Sequence, residues 1–133
     1  MKKTILLSIL PFLALIVFIA AQSPSPIVSP VADDIDYGWP EEVMALLERS
    51  CFDCHSSESG NVKAKGKLNF SKWEGYKLTK KIGKLDWISG TVTEKDMPPK
   101  KYLEKKPEAA FTDEEIKVIT DWTTAESNKL MEE

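Results

Sequence analysis

Two cysteines and one histidine, the only ones in the chain, lie within five consecutive residues, Cys51-Phe52-Asp53-Cys54-His55. The spacing Cys-x-x-Cys-His is the attachment sequence for c-type haem. On a helical turn, residues three and four positions apart share a face, so Cys51, Cys54 and His55 can converge on one bound group. The two thiols are suited to bond the two haem vinyl groups, and the imidazole can coordinate the iron. The sequence therefore predicts one covalently attached haem c with His55 as an iron ligand.

Three other interpretations use the same residue types. A redox-active Cys-x-x-Cys requires a thioredoxin-like βαβ context, and no part of this chain alternates convincingly as a strand. A metal site completed by carboxylates would take three of its ligands from five consecutive residues, which is an awkward geometry. An exported structural protein with a simple Cys51–Cys54 bridge is a further alternative. A four-ligand Cys/His zinc site is excluded, because the chain has only three such residues.

The second axial position of such an iron needs another ligand, and Met97 is the strongest candidate. The other methionines lie at the chain start, in the first predicted helix (Met44) and near the chain end. Pro98 and Pro99 follow Met97 and cannot continue a helix, so they present its thioether on a stiff, extended segment. The predicted ligand pair, His55 and Met97, raises the reduction potential of haem iron. The alternatives are a lysine ligand or a vacant position.

The N-terminal third of the chain is predicted to lie outside the folded domain. Lys2 and Lys3 precede an apolar run at residues 5–21, which is typical of an export signal. Residues 1–21 are therefore predicted to be a cleaved signal peptide or a retained inner-membrane anchor, and both place the domain in the periplasm or cell envelope. Residues 22–38 are rich in proline and serine, which predicts a tether. The haem-binding domain is predicted to span residues 39–133.

The sequence after residue 38 predicts a small all-α domain with long loops, because helical periodicity recurs there. The first helix starts at Pro40 and carries an apolar stripe that directs the first cysteine inward: Val43, Leu47 and Cys51. The last helix starts at a capping box, Thr112 to Glu115, and its apolar stripe consists of Ile116, Ile119 and Trp122. Turn-rich segments are expected at residues 56–68 and 98–110.

The middle helix is predicted to lead towards the second axial ligand. Its apolar residues keep helical spacing: Leu78, Ile82, Leu85, Ile88 and Val92. Gly83 and Gly90 lie inside this helix, and a glycine in a helix interior costs about 1 kcal/mol relative to alanine.

Charge is strongly segregated along the chain. Residues 63–106 carry 13 lysines and 5 acidic residues, whereas residues 22–62 carry one arginine and 8 acidic residues. Residues 107–133 carry 2 lysines and 8 acidic residues. A lysine-bearing surface near the Met97 loop is predicted to steer an acidic redox partner protein. The alternative is two solvated faces without a specific partner, and nucleic-acid binding is not expected of an exported acidic chain.

Four pieces of the sequence together resemble a known family: Cys51–His55, Gly66–Ser71, Met97–Pro99 with Tyr102, and Glu114–Trp122. The chain resembles class I cytochrome c, and more narrowly the small secreted haem-binding domain family. The resemblance implies a cytochrome-c-like bundle in which the first and last helices cross and the haem lies between two ligand loops. It also implies that the haem is attached outside the cytoplasm.

The chain departs from that family at two points. Only ten residues separate His55 from Gly66, where members often carry a longer aromatic-rich insertion, so one wall of the haem site is expected to be more open. Class I cytochromes often hold the proximal imidazole with a carbonyl from a Gly-Pro pair. The corresponding pair here is Gly66-Lys67, which makes the Lys67 carbonyl the predicted partner of His55 Nδ1.

Four aromatic residues are candidates to cover the haem or to bind its propionates: Trp73, Tyr76, Trp87 and Tyr102. Large aromatic side chains at such positions more often belong to the plain hydrophobic core, because of the area that they bury.

These features favour one-electron transfer by a six-coordinate, mono-haem carrier that is not an enzyme. The alternative is a haem-based ligand- or gas-binding module with a weak or vacant distal position. A peroxidase-like enzyme would need an open iron and a distal base, and the only histidine is already assigned to the iron.

Overall fold

The structure, a computed structural model, describes residues 35–132. Within this range the chain forms α-helices and 3₁₀-helices and no strand, which confirms the prediction of an all-α domain. The predicted export segment and residues 22–34 of the predicted tether lie outside the described residues. Between residues 35 and 132, no helix is long and apolar enough to cross a bilayer.

The α-helices, in chain order, are α1 (Glu41–Ser50), α2 (Phe52–His55), α3 (Val62–Lys67), α4 (Leu78–Thr93), α5 (Lys100–Leu103) and α6 (Asp113–Glu132). The 3₁₀-helices are Phe70–Gly75 and Pro107–Ala109. The three helices expected from the sequence correspond to α1, α4 and α6.

The two segments expected to be turn-rich also contain short helices, which the sequence analysis missed. Helix α3 forms in the first segment, where the Asn61 side chain accepts a hydrogen bond from the Ala64 N–H and so caps the helix. Helix α5 and the 3₁₀-helix Pro107–Ala109 form in the second. Both α-helices are too short for apolar periodicity to reveal them.

Helix α1 buries one face and stops just before the first cysteine. Val43 and Leu47 are buried as expected, together with Leu46 and Ser50. Cys51 follows with backbone angles outside the helical range (φ −122°, ψ −43°), so α1 and α2 are separate helices. The apolar stripe nevertheless leads to the cysteine, which is half-buried.

Helix α6 starts at the predicted capping box. The Thr112 N–H donates to Glu115 Oε2 at 2.9 Å, and the Glu115 N–H donates to Thr112 Oγ1 at 3.2 Å. The two bonds satisfy N–H groups at the helix start that have no partner inside the helix. Ile119 and Trp122 are buried and Ile116 is half-buried, so the predicted stripe of α6 faces the core.

Helix α4 packs along α6 and contributes buried side chains to the hydrophobic core. Leu85, Ile88 and Val92 are buried as predicted. Leu78 is 46% exposed, in contrast to its predicted place on the buried stripe. It is the first residue of α4, whereas the buried residues of this helix begin at Leu85. Periodicity alone does not show where a helix extends beyond its packing partner.

An aromatic core surrounds Trp39, directly before α1. The Trp39 ring stacks on Tyr37 with centroids 4.5 Å apart and contacts Trp122 and Trp73 edge-on at 4.9 and 5.2 Å. Phe70 contacts it edge-on at 6.1 Å, and Phe52 packs on Phe70 at 5.1 Å. We call these residues the aromatic core: Tyr37, Trp39, Phe52, Phe70, Trp73 and Trp122. Edge-to-face and offset pairs of this kind contribute stability beyond the area that they bury.

An ion pair joins α1 to α6. The Arg49 guanidinium donates to both carboxylate oxygens of Glu115, at 2.7 and 2.9 Å. The hydrogen bond from Arg49 is the largest cause of a lowered pKa for the Glu115 carboxyl group. Contact between the first and last helices was also an implication of the family resemblance, and α1 and α6 do touch.

Candidate functional site

A cavity of about 270 Å³ lies next to α2. Helices α2, α3 and α4 and the segment at residues 97–102 contribute to its lining. Most of its walls are apolar, with Leu68, Phe70, Trp87, Ile88 and Val92 among them. A largely apolar cavity with a few polar or ligating side chains has the character of a small-molecule or cofactor site.

All four residues predicted to hold the haem line this cavity. Cys51, Cys54 and His55 come from the sequence motif, and Met97 comes from a segment more than forty residues later in the chain. Met44, the methionine of the first predicted helix, instead packs against the hydrophobic core and does not line the cavity. The tertiary structure therefore brings Met97, and not Met44, to the motif.

The backbone of the motif forms a single turn around one carbonyl group. The Cys51 carbonyl accepts hydrogen bonds from the Cys54 N–H at 3.1 Å and from the His55 N–H at 2.9 Å. The two cysteines are free thiols and half-buried, whereas His55 is 6% exposed. Burial, followed by the nearby Cys54, raises the pKa of the Cys51 thiol to about 12.

The imidazole of His55 is held by a backbone carbonyl, although not by the predicted one. His55 Nδ1 lies 3.0 Å from the Leu68 oxygen, so the prediction of Lys67 was wrong by one residue. Lys67 is the last residue of α3, while Leu68 is extended (φ −144°, ψ 133°). A carbonyl can only accept, so Nδ1 carries the proton and the lone pair of the neutral ring is on Nε2. That nitrogen is the one left to bind a metal.

A network of side chains holds the loop that carries Leu68. The Asn69 N–H donates to the Tyr76 hydroxyl at 3.1 Å, and the Asn69 side-chain amide donates to Ser57 Oγ at 3.2 Å. The Ser57 N–H in turn donates to Ser71 Oγ at 3.0 Å. These bonds connect the residues just after Leu68 to Ser57, which follows His55 by two residues. The sequence contained no signal for this network, because its members become neighbours only in the fold.

Met97 is placed by the end of α4. The Thr91 carbonyl accepts hydrogen bonds from the Asp96 N–H at 2.9 Å and from the Met97 N–H at 3.2 Å. Lys95 has a positive φ of 58°, a left-handed conformation that helps to reverse the chain after the helix. Met97 is half-buried and Pro98 is buried. The methionine is thus tied to the cavity wall of α4 by backbone hydrogen bonds.

The four aromatic candidates divide into two pairs. Trp87 and Tyr102 line the cavity, and the Trp87 ring lies 6.2 Å from the His55 ring in an edge-on arrangement. Trp73 is fully buried in the aromatic core, and Tyr76 packs against that core without lining the cavity. The sequence pattern did not separate the pairs, because all four are large aromatic residues near helices.

Two exposed lysines, Lys63 and Lys67, also line the cavity. Both lie on α3, four residues apart and hence on one face of the helix. They belong to the lysine-rich part of the chain identified from the sequence, so positive charge does reach the edge of the candidate site. Positive charge at this position can attract acidic groups, whether on a bound molecule or on a partner protein.

The residues around the cavity fit a haem bound through cysteine. Two free thiols, an imidazole with an available nitrogen and a thioether line a cavity whose walls are mostly apolar. Histidine and methionine are the axial ligands of cytochromes c. Among residues 35–132, no group of three or more His, Cys, Asp or Glu side chains is arranged to hold a metal ion, so the carboxylate-completed alternative gains no support.

Fold and site together define a helical protein with a candidate haem site. Residues 60–125 match the family model of the haem-binding domain. The match supports a haem-binding family and a haem ligand, and it begins after His55, so it does not depend on the Cys-x-x-Cys-His motif. No curated protein and no solved structure matches the chain significantly.

Proposed function

We propose that the protein binds one haem c covalently and transfers single electrons. The observation that carries the proposal is that Cys51, Cys54, His55 and Met97 line one cavity. The similarity of residues 60–125 to the haem-binding domain also supports a haem ligand. This range includes Met97 but not Cys51, Cys54 or His55, so the support does not depend on the motif. When bound, the haem supplies an iron that changes reversibly by one electron.

Cys51 and Cys54 provide the covalent attachment in this proposal. Each thiol would hold the haem through a thioether bond to one vinyl group, and addition of S–H across a double bond needs no oxidant. The addition needs reduced cysteines, and both are free thiols. Because the two sulfurs are three residues apart on one turn, the attachment fixes the haem relative to α2.

His55 and Met97 would hold the haem iron in this proposal. The Leu68 carbonyl holds the imidazole ring and its tautomer, which leaves Nε2 for the iron. The backbone bonds to Thr91 hold the segment from which the Met97 thioether would reach the iron. A His/Met pair in an apolar cavity favours the reduced iron and so raises the potential.

The proposed role is that of an electron carrier and not of an enzyme. The single histidine of the sequence is used as a ligand, so no second imidazole is left for acid–base work on a substrate. An iron bound by both His55 and Met97 would also offer no open position to a substrate. A gas- or ligand-binding module is the competing role, and it requires that Met97 be absent from the iron or easily displaced.

The proposed site of action is the periplasm or cell envelope, after export directed by residues 1–21. Lys2 and Lys3 followed by an apolar run support export. Residues 5–21 would either be cleaved or tether the domain to the inner membrane. The haem-attachment chemistry implied by the motif agrees with export, because covalent attachment takes place outside the cytoplasm in the family that the chain resembles.

The proposed partner is a redox protein with an acidic docking surface. The lysine-rich range includes Lys63 and Lys67, which line the cavity and are exposed. Association steered by charge slows as salt is added, since ions screen exposed charges. We expect the rate of reduction by the partner to fall as ionic strength rises, and a rate independent of salt would contradict charge steering.

Optical spectroscopy of the haem-loaded protein tests the proposed function. The protein is produced in cells that contain the c-haem attachment machinery, and spectra are recorded oxidised, reduced and with carbon monoxide. We expect a low-spin spectrum with an iron–methionine charge-transfer band and no uptake of carbon monoxide. The band should disappear in Met97→Ala and persist in Met44→Ala, the matched control. A high-spin spectrum, or carbon monoxide binding by the unaltered protein, would favour ligand binding instead.

A further inference from the structure

Asp53, between the two cysteines of the motif, makes two hydrogen bonds to a distant part of the chain. Its Oδ2 atom accepts a bond from the Tyr102 hydroxyl at 2.7 Å and another from Lys106 Nζ at 2.5 Å. Tyr102 is 49 residues away in sequence. Hydrogen bonds with an ionised acceptor are stronger than neutral ones. The contact therefore joins the turn that carries both cysteines to the segment that follows Met97.

Tyr102 follows Met97 by five residues and lies on α5, which begins three residues after Met97. The Pro99 carbonyl accepts a hydrogen bond from the Tyr102 N–H at 2.8 Å, and the Tyr102 carbonyl accepts one from the Lys106 N–H at 3.0 Å. Tyr102 also lines the cavity, as do Met97, Pro98 and Pro99. A movement of the whole segment at residues 97–103 away from the site would move the Tyr102 hydroxyl relative to Asp53.

The other side-chain bonds between this segment and α1 lie further from Met97. The buried Ser50 hydroxyl donates to the Ala109 carbonyl at 2.9 Å, and Arg49 reaches the Ala110 carbonyl at 3.4 Å. Towards α4, the Met97 segment is held by the backbone bonds to Thr91. Several side-chain hydrogen bonds join residues 97–112 to residues 41–55. Among those described, the bond from Tyr102 to Asp53 is nearest to Met97 in sequence.

We propose that Asp53 and Tyr102 are positioning residues that keep the Met97 segment closed over the haem site. The inference rests on the proposed function, because it assumes that Met97 is an iron ligand. Neither residue would touch the iron. An exogenous ligand can bind only when Met97 has left, so its apparent affinity is reduced by the small fraction of open molecules. Loss of the Tyr102 bond to Asp53 should enlarge that fraction.

Binding of imidazole to the oxidised, haem-loaded protein tests this inference. In Tyr102→Phe the ring remains and only the hydroxyl is lost, while Asp53→Asn removes the carboxylate charge. We expect both variants to bind imidazole about tenfold more tightly than the unaltered protein, a change equivalent to about 1.4 kcal/mol. The iron–methionine band should weaken at an imidazole concentration that leaves the unaltered protein unchanged. The double variant should gain less than the product of the two single gains, because both changes weaken the same contact.

Asp121→Asn is the matched control. Like Asp53, Asp121 is paired with a lysine, since Lys117 Nζ lies 2.5 Å from Asp121 Oδ2. Unlike the Asp53 contact, this pair lies within α6, and neither residue lines the cavity. Its imidazole affinity should equal that of the unaltered protein. Helix content, measured by circular dichroism, shows whether each variant is folded. Lys106→Gln tests the second hydrogen bond of Asp53, the one from Lys106.

The possible outcomes separate this inference from the proposed function. If the unaltered protein lacks the iron–methionine band, both the axial role of Met97 and the positioning role are overturned. If the band is present and Tyr102→Phe, Asp53→Asn and Lys106→Gln all bind imidazole like the unaltered protein, only the positioning role is overturned. An equal gain in Asp121→Asn would also overturn it, because the effect would then follow from loss of charge and not from the contact.

Discussion

The aromatic core and the cavity are two apolar regions built from similar side chains, yet their organisation differs. In the aromatic core, Trp39 has ring contacts with Tyr37, Phe70, Trp73 and Trp122. In the cavity, Trp87 and other apolar side chains surround a space of about 270 Å³ instead of filling it. The side chains that could bind haem stand on the walls of that space. The residues of the aromatic core are thus largely distinct from those proposed to hold a cofactor.

Phe70 belongs to both regions, and α4 connects the cavity to α6, which carries Trp122 of the aromatic core. Phe70 packs in the aromatic core and also lines the cavity. Helix α4 packs along α6, and its Trp87 and Ile88 line the cavity. A change in the core can therefore reach the site through these shared residues. Variants that change haem binding but not stability, or stability but not haem binding, show how independent the two regions are.

The largest expected effect concerns the cavity alone. In Cys51→Ser/Cys54→Ser, covalently bound haem should be lost completely, because serine does not form the thioether bonds. Haem staining of the protein on a denaturing gel measures the loss. Ser56→Ala, a change of similar size next to the motif, should keep the stain. Haem that still resists denaturation in the double variant would show that attachment is not through these cysteines.

The next effect concerns the aromatic core. Trp39→Ala should lower the free energy of unfolding by about 3–5 kcal/mol, the range for removing a buried aromatic side chain. Denaturant unfolding of the haem-loaded protein measures it. Trp87→Ala, the matched change at the cavity wall, should cost less than half as much and should alter the haem spectrum more, since Trp87 is only half-buried. Equal costs at the two positions would contradict the separation.

Trp39→Phe refines the same comparison. Within residues 35–132, no hydrogen-bond partner is found for the buried indole Nε1 of Trp39. Phenylalanine removes this unsatisfied donor and keeps a ring, so part of the loss in packing is offset. We expect a cost of less than about 2 kcal/mol, below that of Trp39→Ala.

A smaller effect is expected at the link between α1 and α6. Glu115→Gln should lower stability at pH 7 by about 1 kcal/mol, because its bidentate pair with Arg49 is partly exposed to solvent. The folded-state pKa of Glu115 is below its ordinary value of 4.5. The stabilisation is therefore complete above that value and is lost as the pH falls through the lower folded-state pKa. Unfolding curves between neutral and acid pH should converge for the two proteins, and a constant difference would contradict this origin.

The smallest effect is expected on the solvent side of α4. Gly83 is exposed within the helix, and a Cβ atom added there would meet no other atom within 4 Å. Gly83→Ala should raise stability by about 0.5–1 kcal/mol, because alanine loses less backbone entropy in a helix. Gly38→Ala is the contrasting control: space is also available there, but φ is +63°, so alanine should destabilise by about 1–2 kcal/mol. Thermal unfolding measures both.

Local sequence signals predicted the helical fold well and the contacts between helices poorly. The capping box at Thr112 and Glu115 was correct because both of its hydrogen bonds span three residues. The burial of Leu78 was wrong, since periodicity identifies a helix face but not where the neighbouring helix ends. The prediction of Lys67 as the partner of His55 failed by one residue. Which carbonyl faces the ring depends on where α3 stops, and it stops at Lys67, before the buried and extended Leu68.

The sequence by itself determined which side chains could bind a haem and which helices form. The Cys-x-x-Cys-His motif, the helical stripes and the Met-Pro-Pro segment all depend on spacings of a few residues, within which backbone geometry is nearly fixed. Only the tertiary structure decided that Met97 and not Met44 lines the cavity with His55, and that Trp87 and not Trp73 forms its wall. It also decided that Asp53 meets Tyr102. Such pairings join segments some forty or fifty residues apart, and they follow from how the helices pack around the aromatic core, a property of the whole chain.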